Sequence, residues 1–549
     1  MKRKILVFLL ALCLAAALVP VTAFAGGGYT NIWDGSIASA FAGGTGTAEN
    51  PYQIATGAQL AYLASSVNSG ETYAGKNFVL TADIDLNRLP WTPIANAFSD
   101  ALFGGSDYRI FAGNLDGQGY AVSNVAIGSE KVPLESDVFG LFGVTEGKIS
   151  NLHLNTVSIH GIAKNVSGYV IGLAGGLIGS ASGNVENCHV TGLTMTMKTP
   201  DSGSAAAYWI GGLVGALDAG QIDECSASGK ITEKSGKGSI GGLIGELGKT
   251  SKITYSRANV ALDVKPNHKG GADVGGFIGK GNGKSNAETV IRNCYATGDV
   301  TGGAYTGGFA GGIWGLNIIN CYTTGNVSGA ANSMASFAGT DASDPSYYGS
   351  IINCYATGTV IGTAPFRYAF FQQQDATKRS KVENCYFSSD ANSSLKQPNE
   401  SAVAKTSDEM KTDSFADVLN AGDKSNGWVF VNGNALGGAE PADYSAIEKA
   451  LKTVPSDLTV YTDESVAALN KAIDGVIQGK AAVNQAEVDA MAKAIEDAIA
   501  ALEKKSVETT VQLPQTGDDS NLALWAALLL VSGAAICTMM AGKKRNYGK

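Results

Sequence analysis

The sequence predicts a mainly β protein: a right-handed parallel β-helix, or a closely related β-solenoid, followed by a small three-helix bundle. Three observations carry that expectation. A hexapeptide built like "NCYATG" recurs through the middle of the chain, a glycine-rich "GGLIG" segment precedes most copies, and three amphipathic stripes follow the last one. Units of about thirty residues cannot bury a core alone, so they do it by stacking.

The repeat is registered on its cysteine. Cys188, Cys225, Cys294, Cys321, Cys354 and Cys385 share one position with Ser256, Leu152 and Val125, at steps of 27, 36, 37, 31, 38, 27, 33 and 31 residues. Three positions earlier, Val or Ile occupies all nine copies, from Val122 and Ile149 to Val382. Strict strand alternation cannot put two apolar residues three apart on one face, so a bend must lie between them. Asparagine stands just before the shared position in seven of nine copies: Asn124, Asn151, Asn187, Asn293, Asn320, Asn353 and Asn384. It tolerates the left-handed backbone better than other non-glycine residues, which makes it the expected corner. Stacked coils then give an asparagine ladder, and glycine four residues on (Gly192, Gly229, Gly298, Gly325, Gly358) marks a further corner.

The second element is "GGLIG" at Gly175–Gly179, with copies at Gly211–Gly215, Gly241–Gly245, Gly275–Gly279 and Gly307–Gly311. Worn forms stand at Phe139–Gly143 and Ser336–Gly339. This pair of elements resembles the GLUG motif of bacterial surface proteins, including the stalk-like parts of IgA-specific metalloendopeptidases. The resemblance runs from about Phe139 to Tyr386 and implies a solenoid over residues 131–395.

A slot that accepts leucine and serine as well as cysteine is a packing slot, so the six cysteines are expected to stack as small buried hydrophobes. A disulfide between Cys321 and Cys354 remains geometrically conceivable, although residues in register on parallel strands seldom approach correctly. No CxxC occurs, and no histidine stands at metal-ligand spacing from a cysteine, so no metal or cofactor is expected.

No catalytic residue is assigned. HExxH is absent, so the metalloendopeptidase chemistry of some GLUG-bearing proteins does not carry over. His153, His160, His189 and His268 are dispersed and read as solvated strand or loop residues. Asp83 and Asp85 could ligate calcium or flank a sugar, and Asp116 could serve as an acid, but Asp116-Gly117 is first a turn dipeptide. Glu186, Asp223 and Glu383 fall in separated coils, with Arg292 between them. One binding candidate remains: Tyr295, Tyr322, Tyr355 and Tyr386 follow the cysteine in successive coils. They are expected as an outward stripe able to stack on sugar rings or contact a protein.

The flanks complete the plan. Residues 1–25 read as a secretory signal peptide, with basic Lys2–Lys4, an apolar stretch and Ala23-Phe24-Ala25 before the cut. Residues 26–130 hold an N-terminal cap and the first coils; Leu60, Leu63 and Val67 predict a short helix over Thr56–Ser69. Residues 396–440 close the solenoid. Within 441–505, apolar stripes beginning at Ile447, Val466 and Val488, with N-cap residues Asp443, Thr462 and Asn484, predict three helices. Their segments "VYTDESVAALNKAI" and "NQAEVDAMAKAIEDAIAAL" resemble a FIVAR module, which implies a spacer or ligand-binding unit.

Residues 506–549 carry the most specific signal. "LPQTG" (Leu513, Pro514, Gln515, Thr516, Gly517) precedes an apolar run over Leu522–Ala541 and a basic tail. The run is long enough to cross a bilayer and the tail obeys the positive-inside rule. The set resembles the LPxTG cell-wall sorting signal of Gram-positive surface proteins. That resemblance implies cleavage by a sortase after Thr516, covalent linkage of Thr516 to peptidoglycan, and only transient membrane residence. Trimming both ends removes seven basic and two acidic residues from 40 and 49, leaving a net charge of −14. Such an acidic surface argues against nucleic acid or anionic lipid as partner. The expected role is adhesion to, or recognition of, an extracellular glycan or protein; the alternatives are a polysaccharide-degrading β-helix enzyme, which needs carboxylates close together on one face, and a structural surface spacer.

Overall fold

The computed structural model describes residues 31–98, 108–200, 204–248, 250–266, 271–283, 289–330, 332–341, 345–372, 380–395, 402–420, 428–431, 434–436, 445–455, 457–476 and 485–505. The leader, the LPQTG pattern with its apolar run and basic tail, Asp443, Asn484 and His268 lie outside them. The chain divides into two compact units, a solenoid up to Ala442 and a helical unit from Asp443.

Among the described residues, the ladders that join one solenoid coil to the next are parallel. Among the described residues, eleven short strands succeed one another in chain order in one sheet, from Tyr52–Ile54 to Lys381–Glu383. Each coil adds one strand to this sheet. A representative coil holds four strands: Ser204–Gly211, Val214–Leu217, Gly220–Asp223 and Ser226–Glu233. Each pairs with its counterparts in the neighbouring coils. One antiparallel hairpin, Lys164–Val166 against Tyr169–Ile171, extends one coil outward.

The apolar position three before the cysteine forms a continuous ladder in which Leu115, Ile149, Val185, Ile222, Ile253, Ile291, Ile318, Ile351 and Val382 pair in sequence. The first rung corrects the expected register. Val122 pairs with Leu154 and Val125 with Val157, so "VSNVAI" belongs to the following strand row. Asn124 therefore sits opposite Thr156, at a later corner where both have positive φ (58° and 61°). Only the early coils have this second left-handed corner, at Asn124, Thr156 and Gly192, and asparagine suits either corner, so the tripeptide alone does not distinguish them.

The "GGLIG" glycines are dictated by close approach. A Cβ on Gly241 would lie 1.9 Å from the Ile244 carbonyl oxygen. The motif's large residue points inward instead, and Phe277, Phe309, Phe337 and Phe370 stack at 4.8, 5.1 and 4.8 Å, the spacing of neighbouring coils. Gly298, Gly325 and Gly358 also answer to crowding. They lack the positive φ expected of a corner, and a Cβ at Gly325 would lie 2.0 Å from the Gly298 oxygen.

At the N-terminal end a helix spans Gly57–Asn68, its first turn capped by the Thr56 hydroxyl, which accepts from the Gln59 N–H at 3.3 Å. Its Leu60, Leu63 and Val67 are buried in the core that continues through the coils. Towards the other end, helix Asp413–Asn420 is followed by the hairpin Val429–Val431/Asn434–Leu436.

The helical unit contains Ser445–Lys452, Asp463–Asp474 and Gln485–Ala500, and the third helix packs against both others. Thr462 caps the second by accepting from the Ser465 N–H at 3.4 Å. Ile447, Leu469, Val488 and Ile495 are buried. Leu451, which continues the stripe from Ile447 at helical spacing, is exposed; its neighbour Ala450 takes the buried place on the packed face. Among the described residues no helix is long and apolar enough to cross a membrane.

Candidate interaction surface

The hexapeptide folds into three rows that run along the coil edge. The first is the corner. Asn151, Asn187, Asn293, Asn320, Asn353 and Asn384 all have φ between 49° and 59°, and Glu224 (53°) and Tyr255 (48°) adopt the same conformation in the remaining coils. The side chains form a ladder. Asn187 Nδ2 donates to Asn151 Oδ1 at 2.9 Å, Asn320 to Asn293 and Asn353 to Asn320 at 3.2 Å, and Asn384 to Asn353 at 2.9 Å. Asp116 terminates it, since its Oδ1 accepts from Asn151 Nδ2 at 2.9 Å.

The second row holds the cysteines, all free and buried. Each thiol donates to a peptide carbonyl two residues back, at 3.1–3.3 Å, as in Cys321 to Ile319. Ser256 makes the equivalent bond to Thr254 at 2.8 Å. The slot is therefore a packing site with a carbonyl acceptor within reach, which suits cysteine and serine, while Leu152 fills it by packing alone. Burial raises the thiol pKa of Cys225, Cys294 and Cys354, so these sulfurs stay protonated.

The third row follows the cysteine. His153, His189, Ser226, Arg257, Tyr295, Tyr322, Tyr355 and Tyr386 pair in register from coil to coil. Tyr295, Tyr322 and Tyr355 stack nearly face to face at 4.9 and 5.0 Å. The stripe expected to face solvent is mostly covered by the chain itself. Phe415 and Trp428 lie across the rings, and with Met410 and Leu419 they bury Tyr322, Tyr355 and Tyr386 to 8% exposure or less. Only Tyr295 remains half-buried. The covering residues had one sequence signal: Phe415, Leu419 and Trp428 are large apolar groups outside any repeat.

The uncovered rungs are His153, His189, Ser226, Arg257 and Tyr295. The two imidazoles lie 4.9 Å apart. His189 is held neutral, its pKa lowered to about 4 by burial and then by the neighbouring His153 and Arg257. Burial also lowers His153.

The candidate acids have structural duties. Asp83 accepts from the Ala121 N–H at 2.8 Å; Asp85 accepts from the Asn87 N–H at 2.7 Å and from Asn124 at 2.8 Å. Asp116 accepts from the Gln118 N–H at 2.9 Å in its turn. Glu186 pairs with Lys148, and Glu383 with Lys381, through partly exposed side chains. No group of three metal-ligating side chains occurs among the described residues.

Open clefts lie elsewhere, in the N-terminal cap. One of about 530 Å³ is walled by Pro90–Pro93 with Arg88 and by Val132–Glu135, and one of about 290 Å³ shares Pro90, Trp91 and Thr92 with it.

Comparison with known proteins gives the following. The model of the GLUG motif matches residues 172–196 and 207–232. Halomucin of Haloquadratum walsbyi is 31% identical over 200 residues, covering 34% of this chain and 2% of its own. A Gly-rich membrane protein of Evansella cellulosilytica is 32% identical over 162 residues, covering 28% of this chain and 16% of its own. A solved IgA1 protease aligns over 78% of this chain and 28% of its own, at 17% identity and a TM-score of 0.37. The chain thus spans a small part of the curated relatives it matches, and it carries GLUG-motif repeats within a parallel β-solenoid.

Proposed function

We propose that this is a surface protein of a Gram-positive bacterium, attached by sortase to peptidoglycan through Thr516. One observation carries the reading: LPQTG, an apolar run and a basic tail follow one another in that order, in a chain that opens with a leader-like segment. The names of the two relatives, halomucin and a Gly-rich membrane protein, suit a location at the cell surface. In this reading the solenoid recognises an extracellular glycan or protein, and the FIVAR-like helical module spaces it from the wall. The role is non-catalytic, in keeping with the lack of HExxH.

With Tyr322, Tyr355 and Tyr386 covered, the recognition surface on this edge reduces to Tyr295 with Arg257 and the histidine rungs. The decisive experiment is expression in a sortase-positive host, followed by muralytic release and mass spectrometry. The wild-type chain should end at Thr516 bearing a peptidoglycan fragment, and Pro514→Ala should leave it in the membrane and medium. An unlinked terminus in the wild type would overturn the proposal.

A further inference from the structure

The row of strands that follows the asparagine corners has a gap in its first coils. Ala121–Ile127 pairs with His153–Ile159 on one side, and on the other side with Ile84–Asp85 and, through a bridge at Ala126, with Pro90. The chain then leaves the ladder in a loop, closed by the Ser129 N–H donating to the Val132 oxygen at 2.9 Å. It rejoins at Leu134–Ser136, which pairs with Gly161–Ala163. Among the described residues nothing pairs with the other edge of Leu134–Ser136. The 530 Å³ cleft lies against that edge and separates it from Pro90–Pro93 of the preceding coil.

The cleft therefore occupies the place where the ladder lacks a strand. In a parallel ladder each strand bonds to both neighbours, so an edge leaves half its backbone groups unpaired. The facing wall does not supply them: Pro90 and Pro93 have no N–H, and Trp91 donates its indole N–H to the Leu141 oxygen at 3.2 Å. The walls are apolar, from Pro90, Trp91, Pro133 and Leu134, and Val132 at the mouth is 73% exposed. Among the described residues, Arg88 and Glu135, opposite in sign, are the charged groups lining it.

We infer that this gap receives an extended peptide segment of a partner protein, which adds a strand to the edge of Leu134–Ser136 and seats an apolar side chain between Pro90 and Leu134. Backbone pairing supplies affinity in this mode and the pocket supplies side-chain choice. An added strand would lie about 4.8 Å from Leu134–Ser136, with alternate side chains about 7 Å apart, so one enters the cleft while its neighbours face solvent. The oppositely charged pair favours neither an anionic nor a cationic polymer. Thr92, Asn96 and Ser129 also line the cleft, but the strand edge offers alternating backbone N–H and C=O groups at strand spacing, which an extended peptide matches and a sugar does not.

The test is hydrogen exchange on the full secreted chain, with a panel of acetylated peptides alternating threonine with valine, isoleucine or phenylalanine. At least one member should slow exchange at Leu134–Ser136 by about tenfold. The same peptide N-methylated at alternate residues should not. Ala126→Leu, which fills the cleft and leaves the edge in place, should weaken the effect about tenfold; unchanged circular dichroism certifies its fold. Four results overturn the inference: no protection by any peptide, equal protection by the N-methylated form, protection by cellohexaose in place of peptide, or protection that grows with protein concentration alone, which would make the occupant a second copy.

Discussion

Phe415 meets Tyr355 edge-on, with ring centroids 5.4 Å apart and planes at 77°, and meets Tyr386 at the same distance and 84°. One phenylalanine on a helix outside the repeats thus seals two rungs of a ladder inside them. Its position converts a stack of aromatic faces from a ligand platform into an internal core. Phe415→Ala should cost about 3 kcal/mol of local stability. Exchange over residues 413–420 should accelerate, and Tyr355 and Tyr386 should become reactive to nitration. Tyrosines that stay unreactive would mean that another group excludes water from them.

The repeat itself was legible because its chemistry is local. An asparagine in seven of nine copies announces a left-handed corner, and the apolar pair three apart demands a bend there. Glu224 and Tyr255 take the same corner conformation without any composition signal, carried by the coils on either side. The tyrosine row was legible only in part. Alternation says that Tyr355 points away from the coil interior, but whether it meets water depends on Phe415 and Trp428, far along the chain and outside the period. The N-terminal gap was likewise invisible, because it depends on where the Ser129–Pro133 loop leaves the ladder.

The cysteine slot predicts an order of substitutions. Cys321→Ala loses buried volume and the thiol bond to Ile319, at a cost of about 1–2 kcal/mol. Cys321→Ser should cost less, because Ser256 already fills an equivalent place with its hydroxyl bonded to a carbonyl. Denaturant melts should give the same values with and without reductant. A loss confined to oxidising conditions would point to a disulfide instead.

The asparagine ladder makes a sharper demand. Asn320 donates to Asn293 and accepts from Asn353, and it is 2% exposed. Asn320→Asp keeps the shape and the left-handed tolerance but sets a carboxylate oxygen against the Asn293 carbonyl oxygen, for a loss of about 2–3 kcal/mol. Asn320→Gly keeps the corner and removes the side chain, so it should cost less. Equal losses, measured by urea melts at neutral pH, would show that the corner conformation matters and the ladder does not.

His189 links that ladder to pH. Asn187 Nδ2 is committed to Asn151, so its Oδ1 faces His189 Nε2 at 3.1 Å and accepts that ring proton, leaving Nδ1 to accept from the Ser226 hydroxyl at 2.9 Å. Both partners suit a neutral ring. A second proton would break the bond from Ser226 and place charge beside His153 and Arg257; burial, and then these two neighbours, lower the pKa to about 4. The unfolded chain takes up this proton near pH 6.5, so it binds more protons than the folded chain between 6.5 and about 4. Stability from this residue is therefore complete above pH 6.5 and drains as the pH falls to about 4. Solvent contact limits the loss to about 1 kcal/mol. His189→Gln should flatten this part of the curve, and a slope unchanged by the substitution would assign it to other groups.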